Sequence, residues 1–284
     1  MMKIKNLILA ALAVVTTLTS CSNDESSASG KMVVRVTDAP FQYDLVKETN
    51  VTITKIEGRS ENKDSESSYV TLTEKEATIN LLELNNGLTE TLADIEIPSG
   101  SYNLFRIYIK DASVVLKDGT VYNLKVPSGA QSGLKVFVDP FITVGEGTTG
   151  EILLDFDISK SFVAQGNPNS TNGITGFIFK PVIKASNSST SSSLSGTVTG
   201  ESFEFGTAPI ALEGAQISVF AADTLNTTTF TNADGTYKVM GLSAGTYTVT
   251  AEANFYTMET AENVTITSGV DAIQDFLLKL PQEN

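Results

Sequence analysis

The sequence predicts an all-β protein made of two antiparallel β-sandwich domains in series, joined by a Ser-rich linker. Short runs in which apolar and polar residues alternate recur through the chain, separated by Gly, Pro, Asn and Asp, and a sustained 3.6-residue period is almost absent. Residues 186–193 are all Ser, Thr or Asn, so they have no apolar face and mark a domain boundary. These patterns favour strands over helices and two domains over one.

The linker separates a domain of residues 31–185 from a domain of residues 194–284. With 284 residues, 41% of them hydrophobic and 18% charged, the chain is long and apolar enough to bury two cores. A coil of the linker's length has a root-mean-square span of roughly 14–17 Å, at about 5–6 Å times the square root of its residue number. We therefore expect a flexible linker that lets the two domains reorient.

The first domain contains several alternating runs that predict strands. Val114-Val115-Leu116 and Val121-Tyr122 flank Asp118-Gly119, and an Asp-Gly pair between apolar runs predicts a β-hairpin because its tight turn needs positive φ. Residues 80–97 are ambiguous, since their leucines also fit a short helix that breaks at Asn85-Asn86-Gly87. The clearest strand patterns are Met32/Val34/Val36, Val51/Ile53, Phe105/Ile107/Ile109, Leu134/Val136/Val138, Ile152/Leu154/Phe156 and Phe177/Phe179.

The second domain has the more regular strand pattern. Tyr247, Val249 and Ala251 alternate with Thr residues, as one face of a half-buried antiparallel strand requires. Residues 231–237 and 242–247 contain the Gly, Asn, Asp and Ser that are typical of turns. We expect one face of each strand in this domain to form the core.

Four short motifs of the second domain resemble a known family. Its members, the carboxypeptidase regulatory-like domains, are prealbumin-like Greek-key sandwiches, and the resemblance covers nearly all of residues 194–284. Where the family has Gly before an aromatic residue, this chain has Asn254 before Phe255, and Asn tolerates left-handed backbone geometry. The fold belongs with carbohydrate-binding-like sandwiches, so the resemblance implies contact with a glycan. The motifs are Ser195-Gly196-Thr197-Val198, Asp234-Gly235-Thr236-Tyr237, Gly241-Leu242 and Gly245-Thr246-Tyr247.

The first domain, from about Met32 to Ala185, resembles a family of unknown function found in bacterial and archaeal lipoproteins. That resemblance implies a β-sandwich and no particular activity. Both domains also contain the same four-residue pattern at the start of a strand: a small residue, then Gly, then Ser or Thr, then Tyr. The pattern occurs at 99–102 and 244–247. The motifs behind the resemblance are Val36-Thr37-Asp38-Ala39-Pro40 with Tyr43-Asp44, then Asn80-Leu81-Leu82-Glu83-Leu84 and Ile97-Pro98-Ser99-Gly100-Ser101-Tyr102.

The amino-terminal segment resembles a bacterial lipoprotein signal. Lys3 and Lys5 precede an apolar run at 7–18, which is shorter than the roughly 20 residues of a membrane span, and small residues precede Cys21. The resemblance implies that residues 1–20 are cleaved and that Cys21 carries acyl chains, each buried methylene contributing about 0.8 kcal/mol. Residues 21–30 are then a flexible acylated spacer that precedes the first domain.

The acidic run that follows Cys21, at 22–27, resembles the surface-export signal of lipoproteins in one Gram-negative phylum. It implies an outer-membrane lipoprotein facing the cell exterior. The alternative is that residues 22–30 serve only as a flexible spacer, which their composition supports equally well.

Composition excludes several classes of function. The net charge of −14 argues against nucleic acid, whose binding depends on cationic side chains. No His is present, so Ser-His-Asp and Cys-His catalysis and imidazole-ligated zinc are excluded, and the single Cys permits no internal disulfide. We predict a protein that is not an enzyme and needs no cofactor and no metal.

Aromatic residues are the candidate ligand contacts, although Trp, the largest platform for sugar rings, is absent. Tyr43, Phe203, Phe205 and Tyr256 are the four candidates, with core packing or edge covering as the alternative. Asp223-Thr224-Leu225 resembles an O-glycosylation acceptor of exported proteins, and Thr224 as a plain loop residue is the alternative.

Acidic residues offer weaker candidates. Asp38 and Asp44 flank Pro40, where carboxylates that bind local backbone N–H groups of a turn are favoured over a cation site. Asp155 and Asp157 lie two apart on a predicted strand, so they share one face. We expect that face to be solvated, because a hydrolase needs one carboxylic acid kept protonated in a dry pocket.

These inferences predict a non-catalytic surface lipoprotein that acts as a binding module, with a carbohydrate as the ligand that the resemblance implies. The alternative is a structural or accessory subunit of an outer-membrane or surface assembly, which contacts other proteins through its sheet edges. A carboxylate hydrolase built on Asp155 is the third hypothesis.

Overall fold

The computed structural model of the chain describes residues 28–39, 45–61, 69–167, 173–204 and 206–281. Within these residues the prediction of an all-β fold with two β-sheet domains in series is confirmed. No described helix is long and apolar enough to cross a membrane.

The first domain has twelve described strands and three short helices. Its first strand begins at Ser29, two residues before the predicted start of the domain. The strands are β1 (Ser29–Ala39), β2 (Val46–Ser60), β3 (Tyr69–Thr73), β4 (Ala77–Asn80), β5 (Glu90–Pro98), β6 (Gly100–Leu116), β7 (Val121–Leu124), β8 (Leu134–Val144), β9 (Thr149–Asp157), β10 (Phe162–Gly166), β11 (Ile174–Phe179) and β12 (Ile183–Asn187). The helices are a 3₁₀ helix at Leu81–Leu84, α1 (Ser128–Gln131) and α2 (Ile158–Ser161).

Two sheets enclose the core of the first domain. Sheet A has the strand order β12-β9-β1-β5, and sheet B has β2 and β6 at its centre, with β3 and β4 beside β2, and β7 and β8 beside β6. The inward faces of both sheets, together with a two-stranded sheet of β10 and β11, supply one apolar cluster, which includes Val34 and Phe156 from sheet A and Ile56 and Phe105 from sheet B. The pairing of β1 with β9 is parallel, so sheet A is mixed rather than purely antiparallel.

The hairpin predicted at Asp118-Gly119 is present between β6 and β7. Gly119 has a φ of 90°, the left-handed geometry that the tight turn requires. The N–H of Leu116 donates to the carbonyl of Thr120 at 2.8 Å, and the carboxylate of Asp118 accepts from the N–H of Thr120 at 2.8 Å. The ambiguous stretch contains a short helix, Leu81–Leu84, followed by a turn at residues 86–87.

The second domain also has two sheets around one core. Sheet C has β13 at its centre, with β14 and β17 on one side and β20 and β21, both parallel to β13, on the other. Sheet D has the order β16-β15-β18-β19. The strands are β13 (Ser192–Gly200), β14 (Ile210–Ala211), β15 (Gln216–Ala221), β16 (Thr224–Phe230), β17 (Thr236–Leu242), β18 (Gly245–Glu252), β19 (Glu259–Ile266), β20 (Ala272–Ile273) and β21 (Phe276–Leu278).

Side-chain alternation in β18 follows the prediction. Tyr247, Val249 and Ala251 are buried in the core, and the Thr residues between them lie on the outer face. The turn that follows β18 is present at residues 254–256, and its left-handed residue is Phe255, with a φ of 71°, rather than Asn254.

The Gly-[Ser/Thr]-Tyr motif forms the same corner in both domains. The hydroxyl of Tyr102 donates to the carbonyl of Pro98 at 2.7 Å, and the hydroxyl of Tyr247 donates to the carbonyl of Ser243 at 2.9 Å. Each bond therefore reaches back four residues, and each ring is buried in the core of its own domain. A buried Tyr that ties its hydroxyl to upstream backbone is a recurrent corner of β-sandwiches.

The Ser-rich linker is not the flexible coil that its composition predicted. Its first two residues complete β12, and its last two begin β13. Between them the side-chain carbonyl of Asn187 accepts from the N–H of Ser189 at 3.0 Å, and the N–H of Ser188 donates to the carbonyl of Glu151 at 3.0 Å. The hydroxyl of Ser192 donates to the carbonyl of Thr267 at 2.6 Å. Small hydroxyl and amide side chains thus serve here to bond a tight turn.

The two domains meet where sheet A covers the edge strands β16 and β17 of the second domain, a contact that we name the domain junction. The side-chain amide of Asn86 donates to the carbonyl of Thr236 at 3.3 Å and accepts from the N–H of Lys238, so it pairs with β17 as a neighbouring strand would. A cavity of about 20 Å³, room for a single water molecule, lies in the junction beside Asp155 and Thr229.

Candidate functional site

Three of the sequence-predicted site residues lie outside the described residues. They are Cys21, the predicted lipidation site, and the aromatic candidates Tyr43 and Phe205. The predictions for these residues therefore stay predictions.

The other two aromatic candidates, Phe203 and Tyr256, are in contact. Their ring centroids lie 5.7 Å apart at an interplanar angle of 57°. Phe203 follows β13 and is 65% exposed, and Phe255, which precedes Tyr256 in the turn between β18 and β19, is 80% exposed. We name Phe203, Phe255 and Tyr256 the aromatic edge of the second domain.

Tyr256 has a structural role within the aromatic edge. Its ring lies against Gly200, where the Cβ of any other residue would lie 2.5 Å from the ring, so only Gly fits at that position. Its hydroxyl donates to the carbonyl of Glu201 at 3.1 Å. This agrees with the alternative interpretation of Tyr256 as an edge cover, and it gives the exposed Phe203 ring a fixed partner.

Thr224 begins β16 and is exposed, at the tip of the hairpin that joins β15 and β16. The two preceding residues, Ala222 and Asp223, have φ values of 45° and 64° and form the turn. The hydroxyl is therefore accessible, but it belongs to a strand end rather than to a loop.

The two acidic residues expected on a solvated strand face are placed differently. Asp157 is buried and caps α2: its carboxylate accepts from the N–H of Lys160 at 3.1 Å, from the hydroxyl of Ser159 at 2.7 Å and from the ammonium of Lys160 at 2.6 Å. Burial alone would raise the pKa of Asp157, but the bonds from Lys160 and Ser159 hold that pKa below its ordinary value. Its carboxylate is thus occupied by the helix cap.

Asp155 lies at the domain junction. Burial raises the pKa of its carboxyl to about 6, an effect that the nearby Lys184 ammonium partly offsets. The expectation that Asp155 and Asp157 share a solvated face is therefore wrong: residues of the second domain lie beside the half-buried Asp155, whereas Asp157 is buried as the cap of α2. The two carboxyls have different surroundings and different structural roles.

Asp38 lies at the end of β1, where it pairs with Phe156 of β9, and it is buried. The turn predicted around Pro40, together with Asp44, lies outside the described residues, so the prediction that these carboxylates bond the turn stays a prediction. Within the described part of the chain, no three acidic, His or Cys side chains come together in a way that could hold a metal ion.

A polar and aromatic surface on the first domain was not predicted from the sequence. Alternation along β2 places Lys55, Glu57 and Arg59 on the face of sheet B that points away from the core. The period-two pattern was a usable signal for that face. The neighbours of these residues on β3, β6 and β8 depend on strand register, which the sequence pattern does not give.

The chain is therefore a two-domain β-sheet protein in which acidic side chains are buried in structural roles and aromatic side chains are exposed. Residues 29–181 match the family described as Domain of unknown function (DUF4382), and the chain belongs to this family. Residues 193–279 match the Carboxypeptidase regulatory-like domain. No protein with a curated function matches the chain.

Several solved structures are similar to parts of the chain. A type II cohesin-X-dockerin complex from Acetivibrio cellulolyticus matches at 20% identity and a TM-score of 0.24, over 31% of this chain and 58% of that chain. A minor pilin of Streptococcus agalactiae matches at 9% identity and a TM-score of 0.28, over 89% and 98%. The shaft pilin of Lactobacillus rhamnosus GG matches at 11% identity and a TM-score of 0.26, over 90% and 99%. This chain thus spans little more than half the length of the cohesin-dockerin chain that it matches.

Proposed function

We propose that this protein is a non-catalytic, lipid-anchored binding module of the outer membrane that faces the cell exterior. Acyl chains on Cys21 hold it at the membrane, and the aromatic edge of the second domain contacts a carbohydrate. The observation that carries the proposal is the exposed ring of Phe203 in contact with the fixed ring of Tyr256, with the exposed Phe255 next to Tyr256 along the chain.

The aromatic edge has the features that a sugar-binding surface needs. Aromatic rings offer large apolar faces to the C–H groups of a sugar ring. Because the rings of Phe203 and Tyr256 are already in contact in the free protein, less side-chain entropy is lost on binding. Tyr256 is fixed by its packing on Gly200 and by its bond to Glu201, so Phe203 rests on a rigid neighbour. Bound sugar would bury apolar surface that is otherwise exposed to water.

The absence of His from the sequence supports a binding role over a catalytic one. The surroundings of Asp155 and Asp157, the strongest candidates for a catalytic carboxylate pair, also support a binding role. Asp157 is bonded to α2 and Asp155 is covered by the second domain, so neither is placed to attack a glycoside.

Binding is tested with the full chain carrying Cys21→Ser, which prevents acylation, against immobilised neutral polysaccharides. We expect Phe203→Ala with Phe255→Ala to weaken binding by about tenfold, or about 1.4 kcal/mol. Phe141→Ala, which removes an exposed aromatic residue of the first domain, is the matched control and should leave binding unchanged. Equal loss in the control, or no binding by the parent chain, would count against the aromatic edge.

The anchor is tested separately. Cys21→Ser should release the protein from membranes, and protease added to intact cells should cleave the parent chain. Retention of the Cys21→Ser chain at the membrane would contradict lipidation, and protection of the parent chain from protease would contradict outward display.

A second candidate function is that of an accessory subunit which binds proteins through its sheet edges. It is favoured by an open groove of about 280 Å³ between β19 and β21, lined by side chains such as Glu259, Gln274 and Leu277. An edge strand with unpaired backbone groups can accept a strand from a partner. Crosslinking in membranes that recovers one defined partner through β19, without any carbohydrate binding, would favour this candidate.

A further inference from the structure

The outer face of sheet B carries side chains in two rows that cross the sheet. Strand register places Tyr69, Arg59, Leu104 and Phe137 side by side across β3, β2, β6 and β8. The residues that follow or precede them, such as Phe105, point to the other face and belong to the core. Phe137 is 65% exposed, whereas Leu104 is 2% exposed between Arg59 and Phe137 and forms an apolar floor.

The second row contains Thr71, Glu57, Arg106 and Lys135 on the same four strands. The two rows are linked by a stacking contact, because the guanidinium of Arg106 lies 4.0 Å from the ring centroid of Tyr69. Stacking of this kind holds the guanidinium plane parallel to an aromatic surface and keeps its charge.

Glu57 joins neighbouring side chains of this face in a hydrogen-bonded network. Its carboxylate accepts from the hydroxyl of Tyr108 at 2.8 Å and lies 2.7 Å from the ammonium of Lys55. Burial alone would raise the pKa of Glu57, but Lys55 and Tyr108 lower it below the ordinary value, so the carboxylate stays charged. This network fixes Tyr108 and Lys55, which pair with each other in the next row beyond Glu57 and Arg106.

Cations are concentrated on this face of an otherwise anionic chain. Lys55, Arg59, Arg106 and Lys135 lie on it, together with Glu57 and with Glu74, which pairs with Lys55 at 3.3 Å. By contrast, residues 194–284 contain only two cations, Lys238 and Lys279, although the net charge of the chain is −14. An anionic ligand is therefore directed to sheet B and away from the second domain.

We propose that the outer face of sheet B binds an anionic polysaccharide, one whose sugar units carry carboxylate groups. Tyr69 and Phe137 contact sugar rings, and Arg59, Arg106 and Lys135 pair with the carboxylates. Three strand spacings of about 4.8 Å separate Tyr69 from Phe137, so their backbone positions lie about 14 Å apart, the length of a short oligosaccharide. Planar guanidinium groups match carboxylates in a bidentate geometry.

The spacing of charge favours a polysaccharide over nucleic acid. Duplex DNA carries one negative charge per about 1.7 Å of its axis. The carboxylate of Glu57, which lies among the cations of this face, and the net negative charge of the chain repel so dense an anion. A uronate chain carries at most one charge per sugar unit, which suits a few cations spread among aromatic rings. This proposal concerns the first domain and does not depend on the aromatic edge of the second.

The test measures binding of the full Cys21→Ser chain to oligogalacturonate by calorimetry at low and moderate salt. Arg106→Gln with Lys135→Gln should weaken binding by about tenfold and reduce its dependence on salt. Phe137→Ala should weaken binding by a few-fold at unchanged salt dependence, because it removes a contact without charge. Lys117→Gln with Lys125→Gln removes two exposed lysines of the first domain that lie off this face, and it should have little effect.

Different outcomes separate the two binding proposals. Phe203→Ala with Phe255→Ala should leave oligogalacturonate binding unchanged, and the sheet B variants should leave neutral polysaccharide binding unchanged. The proposal is overturned by absence of oligogalacturonate binding to the parent chain, by equal losses in the Lys117 and Lys125 control, or by equal affinity for single-stranded DNA. Thermal unfolding of each variant separates lost affinity from lost folding, and Phe137→Ala is expected to match the parent because Phe137 is exposed.

Discussion

The second domain has two sides at which its paired sheets end in edge strands, and these two sides differ in what covers them. On one side, β16 and β17 lie against sheet A of the first domain. On the other side, β19 and β21 border a groove of about 280 Å³ that no described residue fills. The same kind of sheet edge is thus closed on one side and open on the other.

Three kinds of contact close the first side. Asn86 supplies the donor and the acceptor that β17 lacks on its free edge. The ammonium of Lys184 donates to the carbonyl of Asn226 in β16. Gly241 brings the backbone of β17 close to Ser186 and Leu153, in a space that a side chain would fill. Together these contacts fix the two domains against each other.

The difference between the two sides shows how the chain treats its sheet edges. Free edges present unpaired N–H and C=O groups that invite association, and a covered edge removes this hazard. Equivalent substitutions on the two sides should therefore have unequal effects, because only those at the junction disturb contacts with the first domain. Matched residues on the two sides allow this inequality to be measured.

The largest effect is expected at Gly241, which has a φ of 74°. In Gly241→Ala the new methyl group would lie 2.8 Å from the hydroxyl of Ser186 and also adopt a left-handed backbone, so we expect destabilisation of about 3 kcal/mol. Gly269→Ala is the control: its φ is 70° and nothing lies within 4 Å, so only backbone strain of about 1–2 kcal/mol applies. Urea unfolding measures both, and equal losses would show that the junction adds nothing.

The sequence predicted features that depend on neighbouring residues along the chain. The hairpin at Asp118-Gly119 follows from turn chemistry, and the buried face of β18 follows from alternation. The junction was not predictable in this way. Residues 186–193 have the composition of a coil, yet their hydroxyl and amide groups bond to backbone that is distant in sequence, and composition does not reveal such partners.

The candidate sites show the same limit. Phe203 and Tyr256 could be selected because large aromatic residues in turns stand out in the sequence, although their contact with each other could not be foreseen. Asp155 looked solvated because its strand alternates correctly, and a second domain then covered that face. Strand alternation tells which residues share a face, whereas it does not tell what the face meets.

The next effect in size depends on pH. Burial at the junction raises the pKa of Asp155 to about 6, above the unfolded value of about 3.9. The folded state therefore binds this proton more tightly, so its contribution to stability is present below about pH 4 and is lost as the pH rises through about 6. Asp155→Asn should remove this dependence and stabilise the protein by about 2 kcal/mol at pH 7.

Asp271, which faces solvent, supplies the contrast for the pH experiment. Hydrogen bonding from Ser193, whose backbone N–H donates to the carboxylate at 3.1 Å, lowers the pKa of Asp271, so its contribution has the opposite sign: it is present above the unfolded pKa and lost as the pH falls. Asp271→Asn should destabilise the protein at neutral pH. Thermal unfolding of both variants between pH 4 and pH 8 checks this, and a flat difference between Asp155→Asn and the parent would contradict burial of Asp155.

The smallest effect is expected at Asn86, which can be compared with Asn263. Both residues have left-handed φ values, 56° and 58°, and Asn263 lies on the open edge strand β19. Asn86→Gly keeps the backbone geometry and removes two hydrogen bonds to β17, so a loss of about 1–2 kcal/mol is expected. Asn263→Gly should cost about a few tenths of that. Interdomain residual dipolar couplings should change for Asn86→Gly alone, because its amide joins the two domains, and unchanged couplings in that variant would mean that the other junction contacts suffice to hold them together.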